Sequence, residues 1–77
     1  MNNSQQMLEA LEQQDLSKAE SFFQKALEED SDEVLLELAA YLEGIGFYPQ
    51  AAQIYEKLAP KFPEVYINLA AIAGEDG

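Results

Sequence analysis

Cysteine, histidine, arginine and tryptophan are all missing from this 77-residue chain. Without cysteine there is no disulfide framework and no thiolate nucleophile, which fits a reducing compartment. Without histidine the usual zinc sites and the commonest general base are gone as well. Basic charge is scarce: four lysines stand against fifteen acids, a net charge of −11. Binding to nucleic acid requires Lys and Arg to neutralise phosphate, so this field repels it, and it repels anionic membrane surfaces too. A basic partner is attracted, although the same acidity also keeps a small apolar-rich domain soluble. No stretch approaches the roughly 20 apolar residues that cross a bilayer. Residues 1–6 carry neither the basic start nor the apolar run of a secretory leader. A chain this short is expected to form one domain, burying only about 60% of the surface its unfolded form exposes. Together these absences predict a cytoplasmic, non-catalytic protein with no cofactor and no metal.

What the chain does contain is an internal repeat. Ala19, Phe23 and Ala26 are answered by Ala51, Tyr55 and Leu58 at an offset of 32. Leu35, Leu38, Ala39 and Ala40 are answered by Tyr66, Leu69, Ala70 and Ala71 at an offset of 31. Two interleaved series with a period near thirty indicate stacked helical hairpins, an architecture that builds surfaces for partners more often than catalytic pockets.

Five helices are expected. The first spans about residues 3–14, with Asn3 and Gln6 at capping-box spacing and Met7, Leu8, Ala10 and Leu11 as its buried stripe. Ser17 and Glu20 form a second box, ahead of Ala19, Phe22, Phe23, Ala26 and Leu27. Ser31 caps a third helix, whose first turn holds Asp32 and Glu33 and whose apolar residues are Val34, Leu35, Leu38, Ala39, Tyr41 and Leu42. Gly44 and Gly46 can take positive φ and end it. Pro49 suits the first turn of a fourth helix, with Ala51, Ala52, Ile54, Tyr55 and Leu58, and Pro60 and Pro63 separate it from the fifth. That last helix covers residues 65–73, and Gly74 onward reads as a frayed acidic tail.

Leu35, Leu38, Ala39, Leu42, Gly46, Tyr48, Ala51, Tyr55 and Pro63 stand in an order and spacing that resembles the tetratricopeptide repeat, a helix-turn-helix unit with small residues at its helix crossing. The resemblance implies an all-α fold of stacked antiparallel helical hairpins forming a right-handed solenoid. It covers repeats at 1–31 and 32–63 and an incomplete third at 64–77. Met7 and Leu58 depart from the small residues usual at their places, and the joints are shorter than the family period of about 34. The overall look is that of the N-terminal segment of a longer acidic bacterial member.

In that family the first helix of each hairpin lines a concave groove for peptides. By register, the groove here comprises Ser4, Leu8, Glu33, Leu36, Glu37, Ala40, Glu43, Glu64, Ile67, Asn68 and Ala71. Members that clamp the carboxylate end of a chaperone place Lys, Arg and Asn where this chain has Ser4, Leu8, Glu37, Glu64 and Asn68, so such a clamp is not expected. An acidic groove with a few apolar contacts suits a basic or amphipathic protein segment, while Leu36, Ile67 and Ala71 are equally suited to touching a neighbouring helix. Val65, Leu69 and Ile72 make one apolar stripe on the last helix, and Ile67, Ala70, Ala71 and Ala73 carry apolar surface around its other sides. Either further repeats or a second copy in a homodimer would cover that surface.

Other chemistry finds little support. The run Glu28, Glu29, Asp30, Asp32, Glu33 lacks the glycine-centred loop of a calcium site and reads as a solvated joint, with Asp30 and Glu33 at capping-box spacing. Glu33 and Glu37 share a helix face, but nothing supplies a cleft to perturb them. Tyr41, Tyr48, Tyr55 and Tyr66 are expected to pack in the core and at the groove edge.

Overall fold

The computed structural model describes residues 1–76. It is all-helical, with five helices in the described residues: α1 (Asn3–Glu12), α2 (Leu16–Glu29), α3 (Asp32–Gly44), α4 (Tyr48–Leu58) and α5 (Val65–Asp76). Among the described residues no helix is long and apolar enough to cross a membrane. The chain divides into two compact units, Met1–Leu35 and the residues from Leu36 onward. The division falls just after the first turn of α3 rather than at the joint beside Ser31.

In the first unit α1 packs on α2. Met7 and Ala10 on α1 and Ala19, Phe23 and Ala26 on α2 are buried, at the helical spacing their sequence positions predict. Phe23 is fully enclosed, a burial that contributes about 1.5–3 kcal/mol relative to an exposed ring. Leu8, Leu11, Phe22 and Leu27 are only half-buried at the edges of the stripe, and the Lys25 ammonium lies 5.4 Å from the Phe22 ring centre.

The caps of this unit differ from the expected ones. Asn2, not Asn3, heads α1: its Oδ1 accepts from the Gln5 amide at 2.7 Å, and Gln5 Oε1 accepts from the Asn2 amide at 3.1 Å. The one-residue shift leaves Asn3 and Ser4 available to the far end of α2. Asp15, not Ser17, heads α2 by accepting from the Lys18 amide at 3.1 Å. Ser17 lies inside the helix, and Glu20 accepts from Gln24 Nε2 instead. The cause is the preceding turn. The Gln14 amide donates to Leu11 O at 3.0 Å and the Asp15 amide to Ala10 O at 2.9 Å, the paired bonds of a Schellman ending. Gln14 takes φ 60° to make them, so the chain reverses within three residues and α2 begins at once.

The second unit is built by the same devices. The Gly46 amide donates to Glu43 O at 3.2 Å and the Phe47 amide to Leu42 O at 2.9 Å. Gly46 has φ 90°, whereas Gly44 remains the last helical residue of α3. Pro49 sits in the first turn of α4, where a missing N–H leaves no bond unmade. Leu38, Ala39 and Leu42 on α3, Ala51, Ile54, Tyr55 and Leu58 on α4, and Val65 and Ile72 on α5 are buried. Tyr41, one of the tyrosines expected in the core or at the groove edge, is 48% exposed. Three i to i+3 bonds, from the Val65, Tyr66 and Ile67 amides back to Phe62, Pro63 and Glu64, tighten the entry to α5. The tail expected to fray from Gly74 is helical through Asp76, since glycine forgoes some helix propensity without forbidding the helix.

Candidate functional site

The candidate surface belongs to the second unit and is organised around Glu43. Its position near the end of α3 brings the carboxylate to two other helices. The Tyr55 hydroxyl of α4 donates to Glu43 Oε1 at 3.0 Å, and Asn68 Nδ2 of α5 donates to the same oxygen at 3.3 Å. One carboxylate therefore fastens α4 and α5 to the end of α3. Burial, then the hydrogen bond to Glu43 and its negative charge, push the Tyr55 hydroxyl up to about 12, so the phenol stays protonated and donating at neutral pH.

Around this anchor, Leu36, Ala40 and Glu43 recur on one face of α3 at helical spacing, with Glu37 beside them. Glu37 and Ala40 are exposed and Leu36 is half-buried. On the α5 side Glu64, Ile67 and Ala71 are exposed, while Asn68 is turned toward Glu43 and half-buried. The remaining candidates lie in the first unit. Leu8 is half-buried and Glu33 is exposed. Ser4 is buried, and its amide and hydroxyl donate to Asp30 Oδ2 at 2.8 and 2.6 Å.

Asp30 was expected to box with Glu33. Its carboxylate instead caps the first turn of α1, accepting from Ser4 and, through Oδ1, from Asn3 Nδ2 at 3.1 Å. Ser31 Oγ caps α3 as expected, accepting from the Val34 amide at 3.3 Å. Partial burial acts to raise the Asp30 pKa, but the hydrogen bonds from Ser4 and Asn3 outweigh it and hold the carboxyl below its ordinary value. A carboxylate is favoured here, because the helix dipole presents partial positive charge at the start of α1.

Burial also revises the register of α5. Leu35 and Leu42 are matched in burial by Val65 and Ile72, an offset of 30 rather than 31. Tyr66 and Ala70, placed by the offset of 31 opposite the buried Leu35 and Ala39, are exposed. The outward side of α5 thus includes Tyr66 and Ala70, which the expected groove omits. The signal was present: a stripe through Val65, Leu69 and Ile72 leaves Tyr66 about 100° away from Val65 around the helix.

No protein-family model, no curated protein and no solved structure matches the chain.

Proposed function

We propose that this chain is a non-catalytic protein-interaction module that presents an acidic, partly apolar helical surface to a peptide or protein partner. The observation that carries this reading is the exposure of Ile67, at 75%, on a helix fastened by the Glu43 hydrogen bonds. Ile67 does not stand alone: Tyr66, Ala70 and Ala71 are exposed beside it on α5, and a contiguous apolar patch of this kind marks an interaction surface. The tetratricopeptide resemblance supports the reading, as do the fully buried small residues Ala39 and Ala51 at the proposed helix crossing. In this reading the hairpins belong to a right-handed solenoid of a cytoplasmic protein, whose partner is neither nucleic acid nor membrane. The surface is formed by Leu36, Glu37, Ala40, Glu64, Ile67 and Ala71, with Glu43 and Asn68 holding its two helices together.

The test compares capture from source-cell lysate by the wild-type chain and by the double variant Glu37→Lys with Glu64→Lys, at low and moderate salt. A protein that the wild type retains and the variant loses, with the helical circular dichroism of the two unchanged, supports the proposal. Identical capture by both removes it, and unfolding of the variant means that these positions carry the fold. The same exposure of Ile67 favours a second reading, in which the segment is the structural N-terminal cap or self-association element of a longer scaffold. That reading requires Ile67→Glu or Ala71→Glu to abolish self-association, and an unchanged oligomeric mass in both variants rules it out.

A further inference from the structure

We propose that the outward side of α5 docks an amphipathic helix of another protein, one with large apolar residues in its central turns and Lys or Arg at both ends. This rests on the interaction reading above and names the partner's chemistry. Tyr66, Ile67, Ala70, Ala71, Ala73 and Gly74 are all exposed, and at 100° per residue they form one continuous arc opposite buried Val65 and Ile72. No charged side chain interrupts that arc. Its N-terminal end carries the two large residues, Tyr66 at 60% and Ile67 at 75% exposed, and the rest is Ala and Gly. A surface of small residues lets a second helix approach closely and leaves room for large side chains from the other partner.

The charges select the occupant. Glu64 precedes the arc, Glu75 follows it, and both are exposed. Roughly 16 Å separates them along a helix axis. From Leu36 onward six acids face two lysines, and both lysines, Lys57 and Lys61, lie in α4 and the turn after it rather than on α3 or α5. A second copy is disfavoured in either orientation. Antiparallel pairing sets Glu64 against Glu75 and parallel pairing sets each against itself, so like charges meet at both ends. A helix with cations about three turns apart meets a carboxylate at each end. At the C-terminal end its cation also meets the partial negative charge of the α5 dipole.

The test uses a synthetic helical peptide of about 18 residues, roughly 27 Å long, with a Leu stripe and Lys at both ends. Two controls are a scrambled peptide of the same composition and a peptide with Glu in place of Lys. Each is titrated into the isotopically labelled full chain and followed by amide NMR shifts. Saturable binding that moves α5 resonances is expected for the Lys-ended peptide. Ile67→Glu and Ala70→Glu should each weaken it by about tenfold or more, as for a charge placed in the centre of an apolar contact. Both positions are exposed, so the folded spectrum should persist. Equal binding by the scrambled or Glu-ended peptide, or binding unaltered by both variants, overturns the inference. So does a concentration-dependent dimer that Ile67→Glu abolishes, which assigns the face to a second copy. If the peptide moves Leu36, Glu37 and Ala40 but leaves α5 unmoved, the interaction reading stands and this inference fails. If no resonance moves and the capture comparison is also negative, both fail.

Discussion

Gln14 and Gly46 occupy the same place in two helix endings 32 residues apart. Each is the left-handed residue of a Schellman motif, with φ 60° at Gln14 and 90° at Gly46. The repeat offset of the buried residues therefore extends to the backbone of the turns. Only Gly46 has the residue that this conformation favours, because a side chain in the left-handed region brings Cβ against the following carbonyl.

Replacing Gln14 with glycine should raise stability by about 0.5–1 kcal/mol, the relief of backbone strain less the entropy that glycine loses on folding. Gly46→Ala should lower it by about 0.5–1 kcal/mol, the same two terms with their signs reversed. An added Cβ at Gly46 meets nothing within 4 Å, so this cost is conformational rather than steric crowding by neighbours. Urea unfolding of the two variants checks the opposite signs. Equal and opposite roles for the two positions would be lost if Gln14→Gly proved destabilising.

Gly74 presents the reverse case. It lies within α5, takes no positive φ, and a Cβ there meets nothing within 4 Å. Gly74→Ala should stabilise the chain by about 0.5–1 kcal/mol through helix propensity and reduced freedom of the unfolded state. The measurement is the thermal midpoint together with amide exchange over the last turn of α5, which should slow.

Asp30 should make stability fall in acid. Its folded pKa lies below the ordinary carboxylate value of 3.8, so its contribution is complete above that value and disappears as pH falls through the lower folded one. Asp30→Asn should cost about 1 kcal/mol at pH 7, since charge-assisted bonds to Ser4 and Asn3 become weaker neutral ones. It should also flatten the pH dependence of stability below about pH 4. Unfolding free energies from pH 2.5 to 7 for both chains decide the matter, and parallel curves would show that Asp30 is not the group responsible.

Tyr55 should titrate late. With its hydroxyl pushed up to about 12 by burial and by Glu43, the stability it contributes is complete below the ordinary phenol value near 10 and is lost as pH rises through about 12. Absorbance titration should show a late phenol phase near pH 12. Tyr55→Phe should remove that late phase and cost about 1 kcal/mol at neutral pH, one hydrogen bond to a charged acceptor at partial exposure. It should also loosen α5, because Glu43 then holds Asn68 alone.

The elements that were legible in the sequence are those decided within a few turns of chain. Met7 and Ala10, the Ala19–Phe23–Ala26 stripe, Leu38, Ala39 and Leu42, and the Ala51–Tyr55–Leu58 stripe are buried as a 3.6-residue period requires. Ser31, Gly46 and Pro49 act where their backbone chemistry places them. The all-helical fold follows from these local signals. What only the tertiary structure decided is where a polar group found its partner. Asp30 had a nearby amide three residues on, but the buried first turn of α1, with Ser4 and Asn3 donating together, captured its carboxylate. Glu43 carried no mark that set it apart from Glu37, yet the ends of α4 and α5 bring it a phenol and an amide. Gln14 accepts a left-handed backbone because the turn it closes is held by the helices on either side. The register of α5 shifted by one residue for a related reason: repeat spacing measures the chain, whereas burial depends on how the turn after Pro60 sets the helix against its neighbours. Hydrophobic period is a property of one helix and can be read from its residues alone. Pairing of hydrogen-bonding groups across helices depends on their relative placement, which only the folded chain supplies.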